Sequence, residues 1–278
     1  MTATWPRPVA SLECSLVVAY QLREPTILEP LALRRQLAQD GFLYLRSFLP
    51  CELVTIARRT LALDLASNGF LDTSTCLDLT EDPLYINPES IKDKRTPELL
   101  NRTDLHRHPD VLSVLEHDSL RRLMRSLLVT PSSDTVGLAT PPSTTCLPEL
   151  RTHPYKWLRA VGPSLYTGLH VDRTYFPTSS FPTLLTAWIP LDNIPTELGS
   201  LVIAPDIYLP PMKVGGDGTK SGWIHEKYLE DQTIRWESAD MNRGDIVIID
   251  PARCVHMSSR NVASPPTWRI SADTRWWI

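Results

Sequence analysis

A mainly β architecture, an antiparallel barrel or sandwich with helices packed on one side, is what this sequence predicts, and three observations point to it. Helical spacing of apolar residues is confined to the first half of the chain. From Lys156 onward the pattern changes to short apolar runs separated by Gly, Pro and Asn. Proline outnumbers glycine by 25 to 11, which favours extended loops and turns over a helical bundle. Helices followed by strands imply segregated layers around a core. At 278 residues the chain is long enough for one sizeable core, so a single domain over residues 1–278 is expected, helical over about 25–130 and β over about 155–278.

The elements follow in order. Residues 31–41 place Leu33 and Leu37 at helical spacing, with Gly41 where a helix should stop. Residues 42–45 read as a short strand, and 50–65 as a second helix with Pro50 near its first turn. A helix pair fills 109–128, where Leu112, Leu115, Leu120, Leu123 and Leu127 recur; His106, His108 and His117 in or near it read as surface or core histidines. Residues 129–150 turn Ser-, Thr- and Pro-rich and read as a long loop or an ordered lid over a pocket. Strands are expected at 156–161, 165–171, 184–191, 200–204, 246–249 and 268–274. The Gly-rich stretch 213–220 lacks the spacing of a phosphate cradle and reads as a mobile loop placed to close over a substrate.

Composition narrows the function. A hydrophobic share of 42%, a charged share of 22% and a formal charge of -4 without a long basic run argue against nucleic-acid or anionic-membrane partners and for a small-molecule substrate. No apolar run approaches the roughly eighteen residues of a membrane span, and residues 9–20 carry Glu13 and lack a basic leader. A cytoplasmic location is expected. Cys14, Cys51, Cys76, Cys146 and Cys254 are odd in number and widely spaced, so they read as reduced thiols rather than a disulfide framework or a zinc site. Cys254 stands two before His256, which leaves it open between a core filler and a pocket wall.

The chemistry is concentrated late in the chain. His170 and Asp172 stand two apart, and on a strand residues i and i+2 share a face, so both can grip one cation. His256, from a distant strand, completes a set of two imidazoles and one carboxylate suited to Fe(II), with the opposite coordination positions open. An H-x-D pair alone arises by chance. Here it is followed by the Gly244-Asp245 turn, an apolar strand, His256, and then a strand from Arg269 with a polar residue at every second place. A buried Arg on that strand can hold a dicarboxylate through a bidentate pair. His225 and Glu226 would face opposite ways on a strand and do not make a rival ligand pair.

Taken in order, the segments 40–49, 156–161, 168–175, 186–191, 199–203 and 244–249, with His256 and 269–276, resemble the phytanoyl-CoA dioxygenase family of Fe(II)/2-oxoglutarate oxygenases. The resemblance implies a double-stranded β-helix, a jelly-roll or cupin-like core, with iron and 2-oxoglutarate inside, O2 as oxidant and ascorbate as the reductant in vitro. It implies His170, Asp172 and His256 as iron ligands and Arg269, with Ser271 on its face, as the cosubstrate clamp. Arg275, six residues on, is a rival for that clamp. Trp188 is open between a pocket aromatic and a core residue, and Tyr166, on the face of His170, is placed to reach the cosubstrate. Lys156, Arg159, Arg173 and Tyr175 are candidates for substrate contact, with Phe176 and Trp223 as aromatic neighbours. Related halogenases replace the carboxylate ligand with Gly or Ala; Asp172 is present, which implies hydroxylation, or desaturation, epoxidation or rearrangement, of a specialised metabolite. The alternatives are a non-catalytic small-molecule or metal-binding barrel, and a metal-dependent isomerase or hydrolase using the same triad.

Overall fold

The computed structural model describes residues 15–16, 29–76, 78–81, 83–93, 96–129, 148–204 and 236–278. Cys14, Cys146, most of the Ser/Thr/Pro-rich segment, the loop 213–220, Trp223, His225 and Glu226 lie outside the described residues. The strands are β1 (Ser15–Leu16), β2 (Phe42–Leu45), β3 (Arg151–Thr152), β4 (Trp157–Val161), β5 (Leu184–Pro190), β6 (Leu201–Ala204), β7 (Glu237–Ser238), β8 (Ile246–Ile249), β9 (Val255–Ser258) and β10 (Arg269–Trp277). The helices are α1 (Pro30–Asp40), α2 (Cys51–Ser67), α3 (Pro88–Lys92), α4 (Thr103–His106), α5 (Pro109–Leu115) and α6 (Asp118–Leu128).

The described residues form two sheets. The larger runs β2-β8-β5-β10-β3, with β4 also paired to β10, and every pairing in it is antiparallel. The smaller runs β1-β7-β6-β9. Alternation sorts the larger sheet into two faces. Leu43 and Leu45, Leu185, Ala187 and Ile189, Ile246 and Ile248, Ile270, Ala272 and Trp276 point outward and pack with Leu33, Leu37, Val54, Leu61, Leu65, Val114 and Leu120 of the helices. Phe42, Tyr44, Trp188, Val247 and Ile249 point inward and meet Leu201, Ile203 and Cys254. Each fully buried Leu or Ile contributes on the order of 2 kcal/mol, so both layers are held chiefly by apolar burial. The helices thus cover one face of a jelly roll, as the segregation of helical and alternating patterns predicts.

Local chemistry sets the boundaries. Gly41 ends α1 at φ +80°, donating its N–H to the Leu37 carbonyl at 2.9 Å. Gly244 sits at φ +96°, and an added Cβ would come within 2.8 Å of the Leu49 carbonyl oxygen, so the turn into β8 requires glycine. His108 and His117 cap α5 and α6, their Nδ1 atoms accepting from the Asp110 and Ser119 N–H groups at 3.3 Å, while His106 is buried with Nε2 at 3.1 Å from the Leu99 carbonyl. The strand expected at 165–171 is absent apart from one residue: His170 forms a single antiparallel bridge to His256. Among the described residues no helix is long and apolar enough to cross a membrane.

Candidate active site

That bridge brings the two histidines together. Each backbone N–H donates to the other's carbonyl at 3.0 Å, so residues 170 and 256 are directly opposed and their rings lie 4.2 Å apart between centroids. Asp172 reaches the same point by a different route from the one strand alternation predicts. It opens a 3-10 turn, Asp172–Thr174, which swings its carboxylate back beneath both rings. Asp172 Oδ1 lies 3.6 Å from His170 Nε2 and 3.9 Å from His256 Nε2, and one donor atom from each residue falls within 4.8 Å of the others. All three side chains are buried.

The surroundings prepare this set for a cation. His170 Nδ1 is bonded to the Gly168 carbonyl at 2.8 Å and His256 Nδ1 to the Cys254 carbonyl at 3.0 Å; a carbonyl accepts, so each Nδ1 carries the proton and each Nε2 presents a lone pair inward. Burial, reinforced by the neighbouring His170, pushes the His256 pKa down to about 4 against the opposing pull of Asp172, which keeps the ring neutral. Burial alone would raise the Asp172 carboxyl, but the Arg275 guanidinium, His170 and His256 outweigh it and hold it well below the usual carboxylate range. Thr186 Oγ1 donates to Asp172 Oδ2 at 2.5 Å and Arg275 Nη2 to Oδ1 at 3.1 Å. Two imidazole nitrogen donors, one ionised oxygen donor and fixed ligand orientations fit a divalent iron ion.

A pH dependence follows from His256. Its ordinary pKa of 6.5 applies to the unfolded chain and the lower value of about 4 to the folded one, so between those values the unfolded chain binds a proton that the folded chain refuses. Metal-free protein should therefore lose stability as pH falls through this window, by about 2–3 kcal/mol at pH 4.5 relative to pH 7. Urea melts of chelator-treated wild type beside His256→Gln check this. An equal acid sensitivity in both proteins would refute it.

The inward face of β10 presents Arg269, Ser271, Asp273 and Arg275, all buried. Arg269 is 1% exposed, and its Nη1 donates to Ser271 Oγ at 3.1 Å while Nε and Nη2 have no hydrogen-bond partner among the described residues. Burial and then the nearby Arg159 push its pKa down to about 9, with Asp273 opposing. A buried guanidinium without a carboxylate partner is costly, and a bound carboxylate would relieve that cost. Arg275 is occupied otherwise: it is bonded to Asp172 and stacked over Trp157 at 4.6 Å from the ring centroid.

A cavity of about 780 Å³ opens beside the His-Asp-His set, lined by Trp157, Arg159, Tyr166, Tyr175, Phe176 and Arg275 among others, and by residues 96–101. Tyr166, Arg159, Tyr175 and Phe176 thus share one cavity wall with His170 and Asp172. Trp188 is part of the apolar layer between the sheets and does not line this cavity. Two expected substrate contacts are elsewhere. Lys156 is fully buried, paired with Glu116 Oε1 at 2.8 Å and bonded to Thr152 Oγ1 and the His153 carbonyl, because it precedes β4 on the side facing α5 and α6. Arg173 donates Nη1 to the Phe181 and Phe176 carbonyls at 2.6 and 3.3 Å, bracing its own loop. Cys254 is fully buried in the inter-sheet layer. Thr186 and Asp273 were given no role by sequence reasoning; the polar alternation of β10 was the available signal for Asp273, and Thr186 had none. Breaking the Lys156 pair by Lys156→Ala should cost about 3–5 kcal/mol and leave cosubstrate affinity of the folded protein unchanged; a raised 2-oxoglutarate requirement with unaltered stability would return Lys156 to the site.

Comparison with known proteins agrees with this geometry. The family model described as phytanoyl-CoA dioxygenase matches residues 37–269. The chain belongs to the phytanoyl-CoA dioxygenase family. It is accordingly a non-haem oxygenase dependent on Fe(II), 2-oxoglutarate and O2. The 1-deoxypentalenic acid 11-beta-hydroxylase of Streptomyces exfoliatus is 28% identical over 265 residues, 88% of this chain and 80% of the hydroxylase. Among solved structures, the epimerase SnoN in complex with Fe3+, alpha ketoglutarate and nogalamycin RO superposes with a TM-score of 0.54 at 17% identity, over 89% of this chain and 83% of SnoN. The alpha ketoglutarate dependent carbocyclase SnoK from nogalamycin biosynthesis gives 0.53 at 16% identity, over 88% and 82%. Both share the fold.

Proposed function

We propose that His170, Asp172 and His256 hold the iron, that Arg269 with Ser271 receives the far carboxylate of 2-oxoglutarate, and that the cavity takes a small specialised metabolite for oxidation at carbon. The carrying observation is the pairing of a buried three-donor set with a buried guanidinium whose Nε and Nη2 have no partner among the described residues. A degenerate binding barrel has no need of either. Iron and 2-oxoglutarate, when bound, supply with O2 an oxidant able to take hydrogen from a carbon. The chain's own part is placement. Gly168 and Cys254 carbonyls fix the imidazoles, Thr186 and Arg275 fix the carboxylate, and apolar walls including Trp157, Val161 and Phe176 limit water around the reacting carbon. The activities of the similar proteins, hydroxylation, epimerisation and carbocyclisation, support an oxidation of this kind, and hydroxylation is the outcome we assign. Cytoplasmic location and one domain over residues 1–278 complete the reading.

The test is succinate formation by protein purified under argon and then given Fe(II), 2-oxoglutarate, ascorbate and air. Slow turnover without added substrate, together with a visible charge-transfer band in the anaerobic iron complex, is expected. Absence of both would remove the oxygenase assignment for this site.

A further inference from the structure

Away from the exposed Glu98, the described wall of the cavity presents two guanidinium groups, Arg159 and Arg275, against one carboxylate, Asp172. Arg159 of β4 and Arg269 and Arg275 of β10 lie on one face with Asp273, and Asp172 meets Arg275 from the ligand turn. Among the described residues around the His-Asp-His set, Glu98 apart, three guanidinium groups stand against two carboxylates, a surplus of one positive charge. Fe(II) and doubly ionised 2-oxoglutarate cancel each other, so the surplus survives loading of the site. Glu98, another acid on the cavity lining, is exposed at the mouth and bonded to Asn101, where water screens it. A surplus charge walled by Trp157, Val161 and Phe176 is poorly solvated, and an anion that reached it would be bound in place of lost hydration.

The donors that would meet such an anion can be named. Arg159 gives Nε and Nη2 to Asp273 Oδ2 at 3.3 and 3.0 Å, which fixes the plane of its guanidinium and leaves Nη1 without a hydrogen bond among the described residues. Its side chain keeps 20% exposure on the cavity wall. Arg275 converges on the same carboxylate, Nη2 lying 3.8 Å from Asp273 Oδ2, and its side chain is 4% exposed with Nε and Nη1 unpartnered among the described residues. The rest of the wall around them is largely aromatic and aliphatic.

We infer that the substrate is a largely apolar molecule carrying a single carboxylate, received by Arg159 with Arg275 beside it, its carbon skeleton lying against Trp157, Tyr175 and Phe176. This rests on the cavity being the substrate chamber of the oxygenase proposed above. One negative charge neutralises the surplus, a dianion overshoots it, and an amine is repelled.

The experiment is isothermal titration, under argon, of the Fe(II)- and 2-oxoglutarate-loaded protein with matched cyclic carboxylic acids and their carboxamides of about six to twenty carbons, 1-adamantanecarboxylate and its amide among them. At least one acid is expected to bind about tenfold or more tightly than its amide, equivalent to about 1.4 kcal/mol. In Arg159→Gln, which keeps a donor toward Asp273, that preference should fall to about twofold or less, and Arg159→Lys should restore most of it. Equal binding of acids and amides across the series, or a preference that survives Arg159→Gln, overturns the inference. Loss of 2-oxoglutarate binding in Arg159→Gln with no change in acid preference assigns Arg159 to the cosubstrate and also overturns it. Failure of the wild type to bind 2-oxoglutarate strikes the underlying oxygenase reading instead, a result read separately in the same titrations.

Discussion

Asp172→Ala is expected to lower iron retention by at least about a hundredfold and to remove succinate formation. The substitution deletes the carboxylate donor whose Oδ1 lies within 4 Å of both His170 Nε2 and His256 Nε2. It also strands Arg275, whose ion pair with Asp172 is buried on both sides, so a fall in stability of about 3–5 kcal/mol should accompany the loss of metal. Iron content after dialysis and thermal melting measure the two effects separately. A variant that kept both iron and turnover would show that the two histidines suffice and that Asp172 serves Arg275 instead.

Arg269→Ala should raise the half-saturating 2-oxoglutarate concentration by about a hundredfold while leaving iron retention within about twofold. A charge-assisted pair in a site as enclosed as this one is worth on the order of 2–4 kcal/mol, and each 1.4 kcal/mol is a factor of ten in affinity. Arg275→Ala should show the converse pattern, iron affinity falling about 10–100-fold through a loosened Asp172. The pair of variants thus separates clamp from ligand support, a choice that spacing along β10 left open. Iron loss in Arg269→Ala, or an intact 2-oxoglutarate requirement, would transfer the clamp to Arg275.

Much of the architecture was readable from local pattern. The stop at Gly41, the strand Phe42–Leu45, the two long helices and the alternation along β10 depend on backbone preferences and on burial of every second or every third to fourth residue, which neighbouring residues encode by themselves. The same alternation marked Arg269, Ser271, Asp273 and Arg275 as one face, and motif order brought His170, Asp172 and His256 forward as a set. What the pattern could not carry was who meets whom. His170 and His256 are opposed because one bridge joins segments far apart in the chain, and Asp172 reaches them through a 3-10 turn rather than through strand alternation. Alternation alone sets Lys156 and Arg159, three apart, on opposite faces; that one pairs with Glu116 beneath the helices and the other with Asp273 on the cavity wall was decided by packing of distant segments. Thr186 became a support of Asp172, and Arg275 its ion-pair partner, only when β5 and β10 were set side by side in register. Periodicity assigns a residue to a face, whereas its partner is decided by long-range pairing, whose free energy is shared among segments that no short window contains.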